Sequence, residues 1–133
     1  MPHKLSTRWF APMKVLVVDD SGVIRSILVR VLRTMGIRRI TEAADGDEAW
    51  EYFEAQPADL VLTDWYMPRM SGLELTKRIR TIAPQIPIVM ITVVDSKERV
   101  IEALQAGISD YLCKPFERDA LQAKLDRYIP VQE

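Results

Sequence analysis

The stretch LVLTDWYMPRMSG, residues Leu60–Gly72, decides the fold class of this chain. Its opening run, Leu60–Leu62, is short and wholly apolar, which is typical of a central strand buried on both faces. The run leads to a single carboxylate, Asp64, and Pro68 and Gly72 then indicate a loop before the next helix. Open parallel sheets bind their ligands at the carboxyl ends of the strands. Asp64 is therefore predicted to be the reactive group of a site at this edge of a sheet.

Strand-like runs and helical patterns alternate along the rest of the chain. Besides the run that ends at Asp64, strands are predicted at Lys14–Val18, Arg39–Ala43, Ile88–Thr92 and Tyr111–Cys113. Helices are predicted from Val23 to Thr34, from Asp47 to Ala55, from Ser71 to Ile82, from just after Ser96 to Ala106, and from Glu117 to Tyr128. This alternation predicts an α/β fold, a doubly wound five-stranded parallel sheet with five helices.

The apolar spacing of the helical patterns also assigns side chains to the core. The residues expected to face inward on the second to fifth helices are Trp50, Phe53, Leu75, Ile79, Ile82, Val100, Ile101, Leu104, Leu121, Leu125 and Tyr128. Ser71 and Glu74 have the spacing of a capping box at the start of the third helix. Cys113 is expected to pack as a small hydrophobic residue.

The composition disfavours several classes of protein. A chain of 133 residues suits one domain, and its formal net charge of −1 provides no basic field for nucleic acid. The single cysteine cannot form an internal disulfide, and the single histidine, His3, argues against a histidine-based site. With no apolar run of membrane-spanning length and no signal-peptide pattern, a cytoplasmic location is expected. We divide the chain into an N-terminal extension (1–12), one domain (13–130) and a C-terminal tail (131–133).

Polar side chains follow the predicted strands where parallel strands share an edge. They are Asp19, Asp20, Asp64, Thr92 and Lys114. Singly, each has an ordinary explanation: Asp20 or Ser21 caps a helix, Thr92 favours a strand, and Lys114 is a surface lysine. Together they converge on one crevice. Three carboxylates, a hydroxyl and an ammonium suit a divalent cation beside a phosphoryl group held on a carboxylate.

The motifs VLVVDD, LVLTDWYMP followed by MSG, IVMIT and YLCKPF occur in this order. They closely resemble the receiver domain of two-component response regulators, above all the stand-alone chemotaxis type. The resemblance spans Met13 to Ile129 and implies a flavodoxin-like receiver fold. It implies a signalling protein that is not an enzyme, apart from catalysing its own phosphorylation and dephosphorylation.

The resemblance also implies roles at the phosphoacceptor. Asp64 is implied to accept a phosphoryl group from a partner histidine kinase or histidine phosphotransfer protein. Mg²⁺, with Mn²⁺ as an alternative ion, is implied to bind Asp20, Asp64 and the backbone carbonyl of Tyr66, with Asp19 acting through water.

Further implied roles concern the phosphoryl oxygens and the output. Thr92 and Lys114 are implied to contact the phosphoryl group, and the bond before Pro115 to be cis. Thr92 and Tyr111 are implied to be the switch, although Tyr111 is also a plain half-buried strand aromatic. Output is expected through a downstream partner, such as a motor switch or a kinase, with no direct nucleic acid contact and no membrane insertion. The implied binding face, formed by the fourth helix, fifth strand and fifth helix, includes Lys97, Gln105, Tyr111 and Lys124.

Two residues depart from the family pattern beside the predicted site. Tyr66 stands where Asn or a small polar residue is frequent, and Val93 follows Thr92 where a small residue is frequent. We expect both side chains to lengthen the lifetime of the phosphorylated form.

Two other functions stay open: a pseudo-receiver that binds partners without phosphorylation, and a Mg²⁺-dependent phosphohydrolase of small molecules. The adjacent pair Asp19-Asp20 and the lack of a cap-sized insertion disfavour the phosphohydrolase.

Overall fold

Five parallel strands form one sheet in the computed structural model, which describes residues 12–130. The strands are β1 (Lys14–Val18), β2 (Arg39–Ala43), β3 (Leu60–Thr63), β4 (Ile88–Thr92) and β5 (Asp110–Cys113). Their order across the sheet is β2-β1-β3-β4-β5, and every neighbouring pair is parallel. The strand order reverses between β1 and β3, so a doubly wound sheet has its ligand crevice there. The predicted fold class is confirmed.

Four helices connect the strands and a fifth follows β5, and together they cover both faces of the sheet. They are α1 (Gly22–Thr34), α2 (Gly46–Ala55), α3 (Gly72–Ile82), α4 (Lys97–Ala106) and α5 (Arg118–Asp126). In the first four, the side chain of the residue before the helix accepts a backbone N–H bond three residues on. The predicted capping box of Ser71 and Glu74 is present. Within residues 12–130 no helix is both long and apolar enough to cross a lipid bilayer.

The two faces of the sheet carry separate halves of the core. On one face, Leu16 and Val18 of β1 pack among buried residues of α2, α3 and α4. On the other, Val15 and Val17 pack among buried residues of α1 and α5. Because side chains alternate along a strand, a strand covered on both sides is buried at every position and is mostly apolar, as β1 and β3 are apart from Lys14 and Thr63 at their ends.

Several inward assignments are wrong. On α4, Ile101 is 43% exposed and Leu104 is 50% exposed, and Ala103 is the helix's buried residue. Ile82, at the end of α3, is 54% exposed. Helical spacing identifies an apolar stripe, but the stripe is buried only where the helix touches the sheet. Cys113 is also exposed, so it does not pack in the core as expected; it is the last residue of β5, an edge strand whose burial falls towards its carboxyl end.

The predicted boundaries are only partly within the described region. The extension and tail fall mostly at 1–11 and 131–133, outside the described residues, so the domain division stays a prediction. Pro12 is described, and its carbonyl lies 3.4 Å from an Nη1 donor of Arg39.

Candidate functional site

Asp64 lies at the carboxyl end of β3, where the sequence predicts it. Its backbone N–H donates to the Val18 carbonyl at 3.0 Å, which continues the β1–β3 ladder one residue beyond the strand. Its side chain accepts a 2.6 Å bond from the Trp65 N–H at Oδ1. Behind it, a Cβ on Gly72 would overlap the Asp64 carbonyl oxygen, so only glycine fits the start of α3. These contacts fix the backbone at Asp64. Oδ1 is held by the Trp65 N–H, and Oδ2 is the oxygen that remains for other contacts in the crevice.

Asp19 and Asp20 follow β1 but occupy different environments. Asp19 is 1% exposed, and its Oδ1 accepts the Ser21 N–H at 2.9 Å. Asp20 is exposed, and Ser21 is the residue that caps α1. The adjacent aspartates thus divide into one buried and one open carboxylate.

Carboxylate oxygens of Asp19, Asp20 and Asp64 lie within 4.8 Å of one another. Three carboxylates this close repel each other strongly unless a cation lies among them. Oxygen donors of this kind are the ligands that hard divalent cations such as Mg²⁺ prefer. The donor set therefore fits the implied cation. Tyr66 is 55% exposed beside this cluster, and the role of its carbonyl stays a prediction.

Lys114 supplies a positive charge to the same cluster. Its Nζ donates to Asp19 Oδ2 at 2.7 Å and to Asp64 Oδ2 at 2.9 Å, and its side chain is 13% exposed. Burial lowers the pKa of Lys114, but the hydrogen bonds to Asp19 and Asp64 outweigh it, so the net pKa is raised. The ammonium therefore stays charged across the physiological range. The Lys114–Pro115 peptide bond is cis, as the resemblance implies.

Thr92 and Tyr111 meet at a single residue of the β4–α4 loop. Thr92 is 1% exposed, with its Oγ1 3.5 Å from the Val94 N–H. The Tyr111 hydroxyl donates to the Val94 carbonyl. Burial raises the pKa of Tyr111 to about 12, with smaller contributions from Cys113 and Asp95, so the phenol stays protonated and can donate. Both predicted switch residues are thus linked through Val94.

Arg99 of α4 is a residue that no sequence motif singles out, and it lies over the ring of Trp65, the residue next to Asp64 in the chain. Its guanidinium lies 5.8 Å from the centroid of the Trp65 ring and pairs with Glu102 at 2.9 Å. The pKa of Arg99 is raised, first by the hydrogen bond to Glu102. No local sequence signal relates α4 to the loop after β3, because the contact joins segments distant along the chain.

Asp110 is a second residue that sequence reasoning did not single out. Its carboxylate accepts bonds from Lys124 at 2.6 Å, from Arg127 at 2.9 Å and from the Tyr128 hydroxyl at 3.1 Å. Burial raises the pKa of Asp110, but the hydrogen bonds from Lys124, from the Tyr111 N–H and from Tyr128 outweigh it, so the net pKa is lowered. The sequence does contain one signal for this contact: Lys124 and Arg127 are three residues apart, so they lie on one helical face and can share a carboxylate partner.

The lowered pKa of Asp110 predicts a stability that depends on pH. Ionised Asp110 stabilises the fold above the unfolded-state value of about 3.9, and this contribution is lost as pH falls below it through the folded-state pKa. Asp110→Asn is expected to lower the free energy of unfolding at pH 7 by roughly 1–3 kcal/mol. Urea unfolding should show the gap between wild type and variant shrinking towards pH 3. A gap of the same size at both pH values would assign the loss to packing.

Three comparisons with known proteins agree with this geometry. The family model of the response regulator receiver domain matches residues 15–126. Chemotaxis protein CheY1 of Helicobacter pylori is 45% identical over 117 residues, covering 86% of this chain and 94% of the relative. The structure of Vibrio cholerae chemotaxis protein CheY4 has a TM-score of 0.82 and 35% identity, covering 90% of this chain and 100% of that one.

A further solved structure carries a metal ion. It is the receiver domain of the Pseudomonas aeruginosa sensor histidine kinase PA1611, with magnesium coordinated in the active site cleft. It has a TM-score of 0.78 and 35% identity, and the match covers 89% of this chain and 98% of that one. The fold, the cluster at the strand ends and the match over residues 15–126 lead to one conclusion: this chain belongs to the response regulator receiver domain family.

Proposed function

We propose that Asp64 accepts a phosphoryl group from a histidine of a partner kinase or phosphotransfer protein. The observation that carries this proposal is the lysine bridge: Lys114 Nζ contacts Asp64 and Asp19 together, beside the open carboxylate of Asp20. The lysine places a positive charge against Asp64, the carboxylate at the point where the strand order of the sheet reverses. That charge can offset the negative charge of an incoming phosphoryl group. The donor histidine belongs to the partner, because this chain's single histidine is His3.

The transfer needs positioning and charge neutralisation more than acid–base chemistry. An oxygen of Asp64 attacks phosphorus, the bond from phosphorus to the donor imidazole nitrogen breaks, and that nitrogen keeps the electron pair. Asp64 becomes an acyl phosphate. Lys114 and the Thr92 hydroxyl donate to the phosphoryl oxygens, which replaces the lysine's bond to Asp64 by one to the new group.

Asp19, Asp20, Asp64 and the Tyr66 carbonyl are the residues that would hold the divalent cation. When bound, Mg²⁺, or Mn²⁺ in its place, supplies positive charge that offsets the phosphoryl oxygens. Both the carboxylate chemistry and the magnesium in the PA1611 receiver domain support this assignment. Asp19 is nearly fully buried and already bonded to Ser21 and Lys114, which supports a role through water.

The output we propose is altered partner binding at the surface of α4, β5 and α5. A shift of Thr92 towards the phosphoryl group changes the position of Val94, which carries the hydrogen bond from Tyr111. The phenol then changes place on that surface. Ile101 and Leu104 add exposed apolar area there. The chemotaxis proteins among the relatives support a chemotaxis pathway. We place the protein in the cytoplasm, with a motor switch or a kinase as its downstream partner.

Direct phosphorylation tests the central step. Phosphoramidate carries a phosphorus–nitrogen bond like that of phosphohistidine, so it stands in for the unknown donor. With Mg²⁺, intact-protein mass spectrometry is expected to show one added phosphoryl group in the wild type and none in Asp64→Asn. Equal incorporation in the variant would refute Asp64 as the acceptor. Continuous release of phosphate from many small esters would favour a phosphohydrolase.

Beryllofluoride, a stable analogue of the phosphoryl group, provides a second readout. Trp65 adjoins Asp64, so its fluorescence is expected to change with Mg²⁺ and again with beryllofluoride in the wild type but not in Asp64→Asn. Trp65→Phe is the control: it keeps Trp9 and Trp50, so any fluorescence change that it still shows comes from those two residues and can be subtracted. Partner binding without any Mg²⁺ or beryllofluoride response would favour a pseudo-receiver.

A further inference from the structure

The loop between β3 and α3, residues 64–71, is tied to the start of α2 by an ion pair. Arg69 Nη2 lies 3.2 Å from Asp45 Oδ2, and the Asp45 side chain is only 9% exposed. The other oxygen of Asp45, Oδ1, accepts the Glu48 N–H at 2.8 Å and caps α2. Asp45 therefore has two separate functions in the structure, capping a helix and holding a loop.

The neighbouring peptides reinforce this connection. The Gly46 N–H donates to the Met70 carbonyl at 3.1 Å, and a Cβ on Gly46 would overlap the Met70 backbone. Met70 itself is 6% exposed and belongs to the core. At the other end of the loop, the Gly72 N–H donates to the Trp65 carbonyl at 2.7 Å. The loop is thus held at both ends, and Tyr66 lies between the two attachments.

Arg69 shows that the loop follows a constrained path. Its φ of 68° is in the left-handed region, which an arginine rarely adopts. Residues in such conformations persist where surrounding contacts hold them, and they concentrate near functional sites. Here the contacts that hold the conformation are the pair with Asp45 and the adjacent hydrogen bond of Met70.

We propose that Asp45 and Arg69 are positioning residues for the divalent cation site. The inference rests on the function proposed above, in which the Tyr66 carbonyl is a cation ligand. A carboxylate ligand can adjust by rotating its side chain, but a backbone carbonyl is placed only by the path of its loop. The ion pair fixes that path from α2, so it sets the carbonyl in place before the cation binds.

A double-mutant cycle with Mg²⁺ affinity as its readout tests the proposal. Asp45→Asn keeps the helix cap, since asparagine caps as well as aspartate, and loses the charge. Arg69→Asn loses the charge and tolerates the left-handed backbone. Each variant is expected to weaken Mg²⁺ binding about two- to fivefold by calorimetry, the range of an exposed ion pair. The double variant is expected to be no weaker than either single one.

Arg127→Asn is the matched control. Arg127 is 63% exposed and pairs at 2.9 Å with Asp110, whose side chain is 9% exposed, so it reproduces the Arg69–Asp45 pair at a place remote from Asp64. We expect Arg127→Asn to lose about as much thermal stability as Arg69→Asn, because each variant breaks one exposed ion pair, but to keep the Mg²⁺ affinity of the wild type. Unchanged affinity in Asp45→Asn and Arg69→Asn, with normal wild-type binding, would overturn the positioning role alone. Absence of Mg²⁺ binding in the wild type would overturn the proposed function and the positioning role together.

Discussion

Lys114→Met is expected to lower the free energy of unfolding by about 2–4 kcal/mol in the absence of divalent cations. Methionine keeps the length of the side chain but removes both bonds to Asp19 and Asp64. Asp19, with a side chain 2% exposed, then remains buried without its ammonium partner, and its repulsion from Asp64 is no longer offset. Urea unfolding in the presence of a chelator measures the loss.

Saturating Mg²⁺ is expected to reverse most of this loss. A cation that binds only the folded state at 100 times its dissociation constant adds about 2.7 kcal/mol. The variant should gain more than the wild type, because the ammonium no longer competes for the same carboxylates. Phosphorylation by phosphoramidate should nevertheless stay about 100-fold slower, since the donor to the phosphoryl oxygens is absent. Recovered stability with impaired phosphorylation is the result that separates the two roles of Lys114.

Lys124→Met provides the control for the first part of this prediction. Lys124 pairs with the buried carboxylate of Asp110 at 2.6 Å, as Lys114 pairs with Asp19. Its loss should also destabilise the fold, but Mg²⁺ should restore nothing beyond what it adds to the wild type. Equal Mg²⁺ recovery in both variants would mean that the cation stabilises the fold elsewhere, and would contradict the site.

The strand ends were predictable because two rules act together. Hydrophobic runs locate the strands from local sequence, and the parallel topology then brings their carboxyl ends to one edge. Asp19, Asp20 and Asp64 could therefore be grouped without coordinates. Lys114 could be grouped with Asp64 in the same way, but its second contact, with the buried Asp19, could not be predicted, because side-chain reach depends on how each turn leaves its strand.

The contacts that sequence reasoning missed share one physical origin. Arg99 over Trp65, Arg69 with Asp45 and Lys124 with Asp110 each join segments far apart or on different elements. Periodicity reports only which face of one element is apolar, so it neither finds such pairs nor says how far a stripe is covered. The same limitation explains why Ile101 and Leu104 of α4 were predicted to be buried although they are exposed.

Tyr66→Asn is expected to shorten the lifetime of the phosphorylated protein by about tenfold, equivalent to about 1.4 kcal/mol in the barrier. Hydrolysis requires a water roughly in line with the bond that breaks, opposite the Asp64 oxygen. The Tyr66 ring lies tilted against the ring of Trp65, the residue next to Asp64 in the chain, with centroids 5.8 Å apart. Asparagine is smaller, and its amide can hold a water there.

The decay of phosphorylated protein after removal of phosphoramidate measures this lifetime. Tyr52→Asn replaces another exposed tyrosine, on α2, and is expected to leave the decay unchanged. Val93→Ala tests whether Val93, which stands where the family frequently has a small residue, also lengthens the lifetime; Val93 is 67% exposed and directly follows Thr92. Because the backbone carbonyl of Tyr66 survives the substitution, Mg²⁺ affinity should not change. A faster decay at constant Mg²⁺ affinity therefore assigns the lifetime to access of water, whereas equal decay in all variants removes both side chains as its cause.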